Sequence, residues 1–192
     1  MKVAVCRYAV GKPSGFDEFA TRQRQLLAQA ATQGAQVAVL PEYLALELAA
    51  TFPEEVYSDL HASLAAIQPL RGAWNELFAA LARDTGMHVV AGSFLLRLPS
   101  GHYRNRSDLF APDGGHHWQD KLQLTGFEKA SGVIEAGDAL KVAALDGIRA
   151  GISICYDSEF PLPVRAQYEA GARLLLVPSC TDTAAGATRV QV

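Results

Sequence analysis

The chain has only three cysteines, two tryptophans and two methionines among 192 residues, no large excess of either charge, and no long apolar run. Each shortage excludes a class of protein. Lysine plus arginine number 17 against 20 aspartate plus glutamate, a net charge of −3. There is thus no basic footprint for a phosphate backbone, and no nucleic-acid partner is expected. No uninterrupted stretch reaches the ~18 apolar residues of a membrane span, so no membrane partner is expected either. The opening MKVAVCRYAV (1–10) is broken by Arg7 and leads to no small-residue cleavage site, unlike a secretory signal. Cys6, Cys155 and Cys180 are odd in number, scattered, and lack ligand-type spacing. They fit reduced thiols of the cytoplasm better than a disulfide framework or a zinc knuckle. What is present is 49% hydrophobic and 19% charged residues, the balance of a soluble globular protein. The length suits one well-buried core and is short for two, so 1–192 reads as a single domain.

The pattern alternates strands and helices. Residues 2–9 read as a strand, GKPSG (11–15) as a turn, and Asp17 as the N-cap of a helix running to about Gln33. Gln36–Pro41 is a compact apolar strand. Arg71–Thr85 is a helix with Trp74, Leu77, Phe78 and Leu81 on one face and Gly86 as its stop. Met87–Leu98 and Arg104–Ala111 read as strands, and PDGG (112–115) turns into a further strand carrying Lys121. Leu140–Leu145 and Ile148–Ile154 form a hairpin about Asp146-Gly147, Leu162–Ala170 a helix, and Arg173–Pro178 a buried strand. Segment 126–138 reads as a loop, and 181–190 shows no element. This mixture describes an α/β layered sandwich.

Three ionisable residues share one context, the exit of an apolar strand: Glu42 ends AVLPE, Lys121 lies in WQDKLQLTGFE, and Cys155 in GISICYDSEFP. A thiol is a weak nucleophile until its proton is removed, and a partly buried glutamate can remove it. A lysine ammonium offsets the glutamate and stabilises the oxyanion formed when a thiolate attacks a carbonyl or nitrile carbon. The backbone N–H of Tyr156, directly after the nucleophile, supplies a second oxyanion donor. Strand ends hold such groups within about 0.5 Å of a productive geometry. The set suits acyl transfer through a thioester and requires no metal or organic cofactor.

On these residues the sequence resembles the nitrilase-like carbon–nitrogen hydrolase superfamily. LPEY (40–43), KLQLTGFE (121–128) and ICYDSEFP (154–161) match its three motifs in order, with support from the Asn105 strand, its PDG turn, and GARLLLVPS (171–179). The resemblance implies a four-layer α-β-β-α sandwich, with Glu42 as general base, Lys121 as oxyanion stabiliser and Cys155 as nucleophile. It also implies that Glu128 positions substrate and lysine. Family chains continue with a further helix and strands beyond the Pro178-Ser179 strand, so the domain is expected to be incomplete at its C-terminus. Tyr156-Asp157 after the cysteine resembles amidases and N-carbamoyl hydrolases, whereas nitrilases carry Trp-Glu there. A small-molecule amide is therefore the expected substrate and a homo-oligomer the expected assembly. The alternatives are a nitrilase on the same triad, transfer of the acyl group to an amine, and a truncated non-catalytic binding or scaffold relative.

Competing readings apply to single residues. Cys6 and Cys180 read as core cysteines. Glu47 competes with Glu42 for the base, and the strand leading into Pro41 favours Glu42. Lys129 offers Glu128 a surface ion pair. His116-His117, adjacent on a strand, point to opposite faces and do not make a metal site. Ser153 fails the nucleophile-elbow pattern, since position 155 is not glycine. The specificity loops are expected at 44–57 and 126–138. Arg104, Arg106 and Arg165 are weighed as carboxylate binders and read as solvated surface residues.

Overall fold

The computed structural model describes residues 1–181 and 184–190. In chain order, β1 (Val3–Val5) and α1 (Phe16–Thr32) precede β2 (Val37–Val39), a 3-10 helix (Leu44–Thr51), α2 (Glu54–Tyr57), α3 (Leu60–Ile67) and α4 (Arg71–Thr85). Then come β3 (His88–Val90), β4 (Phe94–Arg97), β5 (Tyr103–Phe110), β6 (His116–Asp120) and α5 (Gly126–Ala130). β7 (Val142–Leu145), β8 (Ile148–Ile152), α6 (Pro161–Glu169), β9 (Leu174–Leu176) and α7 (Ala184–Val190) complete the described chain.

The strands form two sheets. In the first, β1, β2 and β3 are parallel neighbours, and β5 runs antiparallel to β3, β4 and β6. β3 and β4 follow one another along the same edge of β5, separated at Gly92 (φ 65), which breaks the single strand read from 87–98. In the second sheet, β8 pairs antiparallel with β7 and parallel with β9.

Strand alternation explains the layering. Val37 and Val39 face the second sheet, packing with Val90, Leu109, Leu145, Ile152 and Leu176. Ala38 and Leu40 face the other way, into a core with Phe19, Leu27, Trp74 and Phe78 from α1 and α4. A strand buried on both faces must be apolar throughout, and β2 is. Beyond the second sheet, α6 lies against β8, where Gln167 donates to Ile152 O at 2.9 Å. The layers run helix, sheet, sheet, helix. Each large apolar side chain buried in these cores contributes roughly 1.5–3 kcal/mol.

Local signals fixed some boundaries and missed others. Helix α4 runs Arg71–Thr85 with Gly86 (φ 67) as its left-handed stop. At α1, however, Gly15 and not Asp17 occupies the N-cap, and Asp17 lies in the first turn, where a carboxylate favours the positive end of the helix dipole. Segment 126–138 begins with α5, closed by a Thr125–Glu128 capping box that the loop reading overlooked. The tail read without structure holds α7. No helix among the described residues is long and apolar enough to cross a membrane.

Candidate active site

β2 leads directly to the first acidic group. Leu40 N–H still donates to Val90 O at 3.0 Å, continuing the ladder, and the chain then leaves the sheet at Pro41. Tyr43 adopts φ 60, and its N–H donates to Ser93 Oγ at 2.8 Å. This sharp exit presses Pro41 against Gly92, where an added Cβ would stand 2.1 Å from Pro41 O. Glu42 is thereby turned inward and is 3% exposed.

Lys121 follows β6 and is 1% exposed. Its backbone N–H donates to Asn105 O at 2.9 Å, and its Nζ donates to Glu42 Oε1 at 2.7 Å and lies 2.9 Å from Glu128 Oε2. Glu128, fully buried, does not reach the neighbouring exposed Lys129. Instead it accepts from Tyr43 Oη at 2.6 Å, Asn105 Nδ2 at 3.1 Å and Thr125 N at 2.9 Å. Asn105 Nδ2 also donates to Glu42 Oε1 at 2.9 Å, so one amide ties both carboxylates.

Cys155 follows β8. Ser153 and Cys155 donate their N–H groups to Leu176 O and Pro178 O at 3.0 and 2.9 Å, extending the pairing with β9. Cys155 then takes φ 47, a left-handed conformation that costs a non-glycine residue of order 1 kcal/mol or more. It opens a short 3-10 helix, Cys155–Glu159. The N–H of Tyr156 lies in the first positions of that helix, which have no acceptor within it. Asp157 holds the turn: Oδ2 accepts from Ile154 N at 3.0 Å, and Oδ1 from Leu122 N and Gln123 N at 3.0 and 2.7 Å.

The four ionisable groups act on one another. Burial raises the Glu42 pKa, and the Lys121 ammonium only partly offsets this. For Lys121 burial opposes the charge, but Glu42 and Glu128 outweigh it and raise the pKa. Glu128 resists its burial through Lys121 and its hydrogen bonds, and its pKa is lowered. The Cys155 thiol is pushed up to about 11, first by burial and then by the charge of Glu42. Its Sγ lies 3.8 Å from Cys180 O, and Cys180 N–H donates to Glu42 Oε2 at 3.3 Å. A cavity of about 850 Å³ opens beside Glu42 and Tyr43, with Cys6 and Cys180 in its wall.

The structure therefore brings Glu42, Lys121, Glu128 and Cys155 to one place, with Tyr156 N–H beside the thiol. It adds the contacts of Tyr43, Asn105 and Asp157, which the sequence reading quoted only as parts of its motifs. Glu47 stands apart from that cluster, paired with Arg22 at 2.7 Å. Ser153 Oγ donates to Gln167 Oε1 beneath the strand end. His116 and His117 diverge: His116 pairs with Asp108 at 2.9 Å, and His117 is exposed. Arg104 and Arg106 are not solvated, as the sequence reading had them. Their side chains are only 18% and 19% exposed and are taken up by Asp120, Glu135 and Asp138, whereas Arg165 is exposed and pairs with Glu169. Of the two expected specificity segments, 44–57 lines the cavity and 126–138 contributes no residue to its wall.

A sequence model described as Carbon-nitrogen hydrolase matches residues 2–190. The chain belongs to the carbon–nitrogen hydrolase family. Among its hydrolase relatives, a probable hydrolase of Bacillus subtilis is 30% identical over the whole chain, which spans 36% of that protein. An omega-amidase of Xenopus laevis is 25% identical over 84% of the chain and 58% of its own length. An aliphatic nitrilase of Sinorhizobium fredii is 27% identical over 82% of the chain and 53% of its own length. Among solved structures, an amidase of Nesterenkonia sp. superposes with a TM-score of 0.73 at 24% identity, over 98% of this chain and 68% of that one. The fold is that of the nitrilase superfamily. The chain spans about a third to three-fifths of the length of these curated relatives.

Proposed function

We propose that the chain hydrolyses the C–N bond of linear, non-peptide amides or N-carbamoyl compounds through a thioester on Cys155. The observation that carries this reading is the thiol held at φ 47 on a strand end, acted on directly by the Glu42 carboxylate that Lys121 pairs at 2.7 Å. Substrate excludes water from the pair, and Glu42 takes the thiol proton as sulfur attacks the carbonyl carbon. Lys121 Nζ and Tyr156 N–H stabilise the oxygen that becomes negative. Collapse breaks the C–N bond, and Glu42 returns its proton to the departing ammonia or amine. Water, deprotonated by Glu42, then cleaves the thioester to the acid and restores the thiol. Glu128 keeps Lys121 and Asn105 in register.

An amide fits better than a nitrile because Tyr156-Asp157 follows the cysteine, and the omega-amidase among the relatives agrees with it. The same reading takes the described residues as one domain, acting in the reducing cytoplasm as a homo-oligomer, whose mass sedimentation measures. The test is ammonia release from linear amides, ω-amides, N-carbamoyl amino acids and nitriles, beside Cys155→Ala. Turnover of amides, lost in the variant, supports the reading. Turnover that survives the substitution removes the thiol mechanism, and preference for nitriles reassigns the substrate.

A further inference from the structure

Glu42 and Glu128 share one ammonium, yet their oxygens are unequally occupied. Glu128 Oε1 accepts from Tyr43 Oη at 2.6 Å and Asn105 Nδ2 at 3.1 Å. Its Oε2 takes Lys121 Nζ and Thr125 N, both at 2.9 Å, and Thr125 Oγ1 at 3.1 Å. Glu42 Oε1 accepts from Lys121 Nζ at 2.7 Å and Asn105 Nδ2 at 2.9 Å. Glu42 Oε2 has, among the described residues, the Cys180 N–H alone, at 3.3 Å. A carboxylate oxygen offers two lone pairs, so Oε1 of Glu42 is full and Oε2 keeps one open. The Cys180 peptide also brings its C=O to 3.8 Å from Cys155 Sγ, which puts Oε2 on the side of the thiol.

Asn105 holds both carboxylates with one NH2 group. It lies inside β5, opposite Leu95 of β4, and its O accepts from Lys121 N at 2.9 Å on the other side. The residue is 1% exposed, and its Oδ1 has no hydrogen-bond partner among the described residues. A buried acceptor without a donor is unfavourable. Turning the amide over is worse, because it sets that oxygen against two carboxylates. The fold thus leaves Oδ1 orphaned in order to give one hydrogen to each glutamate.

We infer that Asn105 is a positioning residue: it fills Oε1 of Glu42, so that the thiol proton goes to Oε2, and it holds the base in its charged form. The S–H bond of Cys155 breaks as the O–H bond forms at Oε2, and no hydrogen of Asn105 is transferred. This deepens the hydrolase reading and rests on it for the reaction served. Among the described residues, the titratable groups facing Glu42 are Lys121 after β6, Glu128 on α5, Cys155 after β8 and the adjacent Tyr43. None of them replaces the donor that Asn105 supplies to Oε1 beside Lys121.

The experiment is a double-mutant cycle on the full chain, pairing Asn105→Leu with Glu42→Gln. A carboxylate that loses a donor binds its proton more tightly. The acid limb of kcat/KM in Asn105→Leu is therefore expected about one to two pH units higher, with the loss in kcat and not in KM. A hungrier base also draws the thiol proton at rest. Iodoacetamide should then label Cys155, read by peptide mass, about tenfold or more faster at neutral pH than in the native chain. In the Glu42→Gln background Asn105→Leu should add nothing to that rate, since no carboxylate is left to act through. Melting temperatures check the fold, and Asn105→Thr, which keeps one donor, carries the test with smaller changes if the leucine variant does not fold. An unmoved acid limb, an unchanged labelling rate, or a gain that persists beside Glu42→Gln overturns the inference, the last showing a loosened site. If no amide or nitrile is turned over, the hydrolase reading falls and the labelling cycle alone decides the role of Asn105. Cys155-dependent turnover with a flat cycle keeps the hydrolase and removes that role.

Discussion

Asp157 accepts the N–H of Gln123 at 2.7 Å, so one buried carboxylate joins the turn of the thiol to the segment that follows the ammonium. The same side chain takes the N–H groups of Leu122 and Ile154. Asn at this position keeps one acceptor oxygen and points an amide N–H at a backbone N–H. Asp157→Asn is therefore expected to cost about 1–3 kcal/mol of stability. Because the joint sets the distance from sulfur to ammonium, kcat should fall ~100-fold, a scale set by small misplacements of reacting groups. Denaturant unfolding and steady-state kinetics measure the two losses, and a stable variant of native kcat would remove Asp157 from any positioning part.

Lys121 lies between two buried carboxylates, and Lys121→Met leaves them facing each other. Breaking a buried pair from one side costs about 3–5 kcal/mol. The sign with pH follows. Without the ammonium both carboxylates have pKa values raised above those of the unfolded chain, so the penalty is largest at neutral and alkaline pH and shrinks as acid neutralises them. Urea unfolding across the acid range should show variant and native converging as the pH falls. Divergence there would contradict the arrangement.

The directions of the pKa shifts set a pH profile. Burial raises Glu42 above the ordinary carboxylate range, so kcat/KM should climb with pH through an apparent value above 4.5. The thiol at about 11 should keep alkylation by iodoacetamide slow at neutrality and accelerating well into the alkaline range. Glu42→Gln removes the charge that burial leaves facing the sulfur, so thiol alkylation in the variant should rise at lower pH while turnover falls about 100- to 10,000-fold. An alkylation rate already saturated at neutral pH in the native chain would refute this.

At Gly92 a methyl group suffices to disturb the base. Its φ of 65 and the 2.1 Å approach of Pro41 O leave no room for Cβ. Gly92→Ala should cost about 1–3 kcal/mol from the strained conformation, plus displacement of Glu42. Activity should fall further than stability alone accounts for, which kcat measured well below the melting temperature will show.

Much of this was legible in the sequence because burial and turn chemistry are local. The apolar run through Val37–Val39 announced a strand buried on both faces, and Gly86 announced the end of α4. The Asp146-Gly147 turn likewise placed the β7–β8 hairpin. Other features depend on partners far along the chain. Gln167 under Ile152 and Asn105 between two glutamates are ordinary polar residues until the sheets stack. Arg104 and Arg106 looked solvated because Asp120 and Glu135 reach them only through the β5–β6 pairing and the loop packed over it. The Thr125–Glu128 capping box was in plain view, but the sequence reading weighs Glu128 only as a site residue or a surface ion pair.

The bonds that close the site join residues 63, 79, 85 and 138 positions apart. No segment of the chain carries the site by itself. Each closing bond demands that loops of that span be fixed first, an entropic cost that only the completed sheets can offset. The site is thus a readout of the whole described fold, and loosening any one strand exit withdraws one of its members.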